Sequence, residues 1–113
     1  MGVDLTLVPN RFERSHWPIL GYTRLPLTCR WYKLHEALQE VSNPLTEGLM
    51  WYGDEGVETI HEDAYGHKLR WVLPSQFVTA AEKHMEGADD WDKGVVAFIK
   101  CLPPQTQIVL WFH

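Results

Sequence analysis

Apolar and polar residues alternate over Val3-Asp4-Leu5-Thr6-Leu7, and Pro9-Asn10 follow Val8, the pattern of a half-buried β-strand closed by a turn. At the other end, the β-rich run Thr106-Gln107-Ile108-Val109-Leu110-Trp111-Phe112-His113 is too apolar to stand in water. It is expected inside the sheet, beside the first strand. Between them, Leu49 to Tyr52, the glycine-bracketed Gly53-Asp54-Glu55-Gly56 and Val57 to Ile60 predict a β-hairpin. After the turn Asp63-Ala64-Tyr65-Gly66, the stretch His67 to Val72 alternates again, placing Leu69 and Trp71 on one face and Lys68 and Arg70 on the other. Ile19 to Leu25 also favours extended structure, but Pro18 and Pro26 bracket it and remove ladder donors, so it belongs at an edge or in a loop.

Three segments carry the helical period instead. Cys29 to Val41 places Trp31, Leu34, Leu38 and Val41 on one stripe, with Thr28 as the expected cap and Ser42-Asn43-Pro44 as the stop. Pro74-Ser75 opens a second helix to about Glu86, with Phe77, Ala80, Ala81 and His84 on one side and Gly87 beyond its end. A third, capped by Asp89 or Asp90, aligns Trp91, Val95, Phe98, Ile99 and Leu102 before Pro103-Pro104 forbids continuation. The expected fold class is α+β: a mainly antiparallel sheet, containing the first and last strands, packed with about three helices over a single domain of residues 1–113.

A chain of 13.2 kDa buries about two-thirds of its unfolded surface by size scaling, so a core forms without staples. Cys29 and Cys101 show no CxxC or framework spacing and are expected as reduced, buried thiols. No apolar run is long enough to span a membrane and no leader pattern opens the chain, so the cytoplasm is the expected compartment.

Charge changes the picture more. Residues 47–66 carry six acids (Glu47, Asp54, Glu55, Glu58, Glu62, Asp63) and no Lys or Arg, whereas residues 1–46 and 67–113 are each balanced to within one charge. A local negative field repels phosphate backbones and attracts basic protein faces, which disfavours direct nucleic-acid binding. Trp51, Tyr52 and Tyr65 lie in the same span, and aromatics rimmed by charge suit an interface; core packing of Trp51 and a solvated hairpin explain the same residues.

His61, Asp63 and His67 flank one turn, and imidazole and carboxylate are metal ligands, so they are the candidate metal set; the spacing is generic, and a wet turn is the favoured account of the same residues. No nucleophile elbow, phosphate-cradling glycine loop or cofactor motif is present, and no cofactor is expected.

Met1-Gly2-Val3-Asp4-Leu5-Thr6-Leu7, Glu62-Asp63-Ala64-Tyr65-Gly66-His67 with Leu69-Arg70, and Leu102-Pro103-Pro104 before Ile108-Val109-Leu110-Trp111-Phe112-His113 together resemble short bacteriophage and prophage proteins to which no activity is attached. The resemblance implies a context, since small phage accessory proteins act by binding and blocking host components, including CRISPR defence. The leading expectation is therefore a non-enzymatic accessory protein of this kind, anti-CRISPR-like, in the cytoplasm of a bacterial host. It would meet a basic host protein or nucleoprotein complex through Trp51, Tyr52, Asp54, Glu55, Glu58, Glu62, Asp63 and Tyr65. The alternatives are a small metal-dependent enzyme using His61, Asp63 and His67, or a virion structural component; an edge near residues 18–26 would permit a homodimer.

Overall fold

The structure, a computed structural model, describes residues 2–10, 19–20 and 24–113. The chain runs β1 (Leu5–Asn10), β2 (Ile19–Leu20), β3 (Leu25–Pro26), α1 (Tyr32–Val41), β4 (Asn43–Pro44), β5 (Leu49–Gly53), β6 (Gly56–Ile60), β7 (Arg70–Val72), α2 (Pro74–His84), α3 (Asp90–Lys100) and β8 (Gln107–Phe112). This is an α+β fold with a five-stranded antiparallel sheet of order β3-β1-β8-β7-β4 and a second sheet of order β2-β5-β6.

The alternation in β1 decides how the layers stack. Leu5 and Leu7 face a core made with Leu34 and Leu38 of α1, Phe77 of α2 and Ile99 of α3, joined by Ile108, Leu110 and Phe112 of β8. Val8 and Val109 turn the other way, toward Leu49, Trp51 and Leu69, with Trp71 and Trp111 packed at the margin. The large sheet thus carries helices on one face and the small sheet on the other. That sandwiching explains the near-continuous apolar run of β8: a central strand covered on both faces has no wet side to alternate toward. β1 and β8 pair in register from Leu5 opposite Phe112 to Asn10 opposite Gln107.

The Ile19–Leu25 segment divides. Ile19–Leu20 joins the edge of the small sheet, parallel to β5, and Leu25–Pro26 forms the edge of the large one, where a proline without an N–H is tolerated; Pro18 and 21–23 lie outside the described residues. The Asn43–Pro44 stop after α1 becomes the opposite edge strand, paired with β7.

Three expectations are corrected. α1 begins at Tyr32, not Cys29, and Thr28 does not cap it: its hydroxyl donates to Asp89 Oδ2 (2.8 Å) and Asp92 Oδ2 (3.0 Å) of the α3 start. Two carboxylates at another helix out-compete the local cap. Cys29 and Cys101 are exposed, since each lies in the chain just beyond a helix and not on its packed face. Trp91 and Phe98 stand largely in solvent because α3 packs through Val95 and Ile99; the Trp91 indole N–H donates to the Pro26 carbonyl at 2.6 Å.

Other local signals match. Asp89 caps α3 by accepting from Asp92 N–H at 2.9 Å. Pro74 takes the first helical position of α2, and the Gln76 side chain accepts from Leu73 N–H at 2.8 Å.

Candidate functional site

The acidic span folds into two structures. Leu49 to Ile60 is the expected hairpin, closed by Gly53 opposite Gly56 around Asp54-Glu55, with Gly56 at φ 109°, a backbone state that glycine adopts without a Cβ penalty. β6 is the outer strand of the small sheet. Gly56 to Thr59 are all exposed, and among the described strands none pairs with its far edge.

The hairpin is attached through Trp51, which is buried. Its ring meets Trp111 edge-on at 4.6 Å between centroids, the Arg24 guanidinium lies 4.1 Å from the ring centroid, and its indole N–H donates to Glu58 Oε1 at 2.8 Å. Trp51 therefore supports the hairpin from inside and leaves the displayed face to others. Tyr52 lies on β5 in register with Val57.

Asp54, Glu55, Glu58 and Glu62 are exposed. Among the described ion pairs none involves Asp54, Glu55, Glu58 or Glu62. Lys68 stands opposite Glu62 in an isolated β-bridge. Asp63 differs in kind. Its side chain is 5% exposed, and Oδ1 accepts from Tyr65 N–H (2.8 Å) and His67 N–H (3.1 Å), building the second turn. The Ala64 N–H fixes that turn to β8 by donating to the Phe112 carbonyl at 3.1 Å.

Of the candidate metal residues, His61 is parted from Asp63 and His67. His61 packs over Gly48, where an added Cβ would lie 2.6 Å from the imidazole Cε1, and it lines a cleft with Leu45, Thr46 and Lys68. His67 lines a different cleft, with Tyr65 and α1, and its Nδ1 lies 4.0 Å from Asp63 Oδ2. Among the described residues, the three-member set whose ligand atoms lie within 4.8 Å of one another is Cys29, Asp89 and Asp92, and it does not include His61, Asp63 or His67.

In that set the carboxylates already hold donors. Asp92 is fully buried and accepts from Thr28 N–H (2.8 Å), Thr28 Oγ1–H (3.0 Å) and Trp31 Nε1–H (3.1 Å). Hydrogen bonds from the Asp92 backbone N–H and then the Thr28 hydroxyl hold the Asp89 carboxyl below its ordinary range. This cluster ties the β3–α1 connection to α3. The sequence carried half of its signal in the Asp89 cap; its partner Thr28 lies 64 residues from Asp92 and left none.

A second constellation was missed entirely. His35 of α1 is buried, between Phe112 of β8 (ring centroids 5.2 Å) and Tyr32 (6.1 Å), and its Nε2 has no hydrogen-bond partner. Burial lowers its pKa below the ordinary 6.5, an effect only partly opposed by Asp4. Within α1 this residue reads as one more position on a helix, and only the fold brings it against the Asp63–His67 turn.

No helix among the described residues is long and apolar enough to cross a membrane. No protein-family model, curated protein or solved structure matches the chain.

Proposed function

We propose that this chain is a non-enzymatic interaction protein that meets a basic surface of another protein through the acidic outer strand and tip of the β5–β6 hairpin. The observation that carries the reading is the edge position of β6: a strand exposed from Gly56 to Thr59, carrying Glu58 and flanked by Asp54, Glu55 and Glu62, in a span without Lys or Arg. An unpaired backbone edge offers ladder hydrogen bonds to an incoming strand, and the carboxylates select a basic one and speed its approach. The rigid attachment through Trp51 lowers the ordering cost of binding.

The resemblance to phage-carried proteins makes a bacterial host component the partner class, with a nucleic-acid-guided defence complex as its anti-CRISPR form. There the hairpin acids would stand in for phosphates in a basic groove. Trp51 and Asp63 leave the contact set in this reading, because one is core and the other holds a turn together.

The test replaces Asp54 with Asn and Glu55, Glu58 and Glu62 with Gln, which keeps the acceptor that Trp51 needs at position 58. With a partner isolated from host lysate, association should slow by about tenfold or more and lose its salt dependence. A partner that associates with the variant as fast as with the parent, at low salt, would refute the reading.

A further inference from the structure

The cleft beside His35 has a volume of about 330 Å³ and plays no part in the hairpin contact. α1 contributes Tyr32, His35 and Glu36 to it, the second turn contributes Asp63, Tyr65 and His67, and β8 contributes Phe112. Three features specify an occupant.

The first is aromatic surface left in water: Tyr32 and Tyr65 are 56% and 50% exposed, and they come from separate elements. The second is the charge of the lining, which includes the carboxyls of Glu36 and Asp63 and no Lys or Arg. Asp63 is committed to its turn, so Glu36 holds the available negative charge. The third is the imidazole of His35, 6% exposed, whose Nε2 lacks a partner. A buried polar atom without a partner is costly, and a ligand that supplies the missing hydrogen bond recovers that cost. The ring is kept neutral by burial, and a neutral imidazole accepts a hydrogen bond at one nitrogen.

Anions are repelled by such a lining, and a purely apolar ligand leaves the imidazole unsatisfied. A planar cation satisfies all three features at once, since it stacks on aromatic faces, donates N–H groups and neutralises a carboxylate. We propose that the cleft takes an arginine side chain of the partner protein, its guanidinium against Tyr32 and Tyr65, donating to His35 Nε2 and balanced by Glu36. This rests on the reading above, since it names what a basic partner inserts.

The probe is the peptide acetyl-Gly-Arg-Gly-amide, titrated into the full chain while the His35 imidazole and the Tyr32 and Tyr65 rings are followed by NMR. Saturable shifts at all three are expected. The same peptide with citrulline in place of arginine, equal in shape but uncharged, should bind about tenfold more weakly. Glu36→Gln and Tyr65→Ala, both at exposed positions, should each weaken the arginine peptide by about tenfold while the rest of the spectrum is retained. Absence of saturable shifts at these rings, or equal binding of the citrulline peptide, overturns the proposal. The hairpin variant should bind the peptide as the parent does, so failure of the hairpin contact and failure of the cleft give different results.

Discussion

Asp92 and His35 show how much a single buried polar group settles. Asp92 enters the interior and is kept there by three donors from the β3–α1 connection. Removing the acceptor strands those donors, so Asp92→Ala should lower stability by about 2–4 kcal/mol, read as a fall in the urea midpoint at unchanged slope. His35 acts through protonation. Its folded-state pKa lies below the unfolded value of 6.5, so the folded protein binds fewer protons in the window just beneath that value. Stability should be fully present above the unfolded pKa and fall as pH drops through 6.5 toward the folded value. The titratable groups around the ring are Asp4, Tyr32, Glu36, Asp63, Tyr65 and His67, of which Asp4 opposes the shift. The urea midpoint should therefore drop on going from neutral to mildly acidic pH, and His35→Leu should flatten that drop. An equal slope in both proteins would assign it to other groups.

At the scale of elements, the hairpin is held by its tryptophan. Trp51 joins the small sheet to β8 through Trp111 and reaches across the hairpin to Glu58. Trp51→Ala should cost about 3–5 kcal/mol, with amide exchange rising first in β5 and β6 while the helices and β8 stay protected. Uniform loss of protection would mean that the two sheets unfold as one unit. Periodicity made most of these elements legible: β1, the hairpin, α2, α3 and β8 follow from alternation, caps and glycines within a few residues of one another. What it misplaced depended on distant residues. Thr28 looks like a cap until Asp89 and Asp92 are brought to it, and Trp91 belongs to an apolar stripe until α3 is seen to bury Val95 and Ile99 and leave Trp91 exposed. Of the candidate site, the exposed acids were readable because charge runs seek water; the inward turn of Trp51 and Asp63, and the sharing of one cleft by His35 and Tyr65, were set by packing between elements far apart in sequence.

For the whole molecule, the layering assigns separate tasks to the two faces of the large sheet. One face is taken up by three helices and their core, while the other supports a small sheet whose outer strand reaches solvent. The middle of that large sheet is a ladder between β1 and β8, where the Thr6 hydroxyl and the His113 ring meet at 2.8 Å across 107 residues of chain. Contact order is accordingly high. The three helices are local and can form early, but the floor on which they lie exists only once nearly the entire polypeptide has been drawn into one closed loop. Closure of that loop, not the assembly of any helix or hairpin, is therefore the expected slow step when this protein folds.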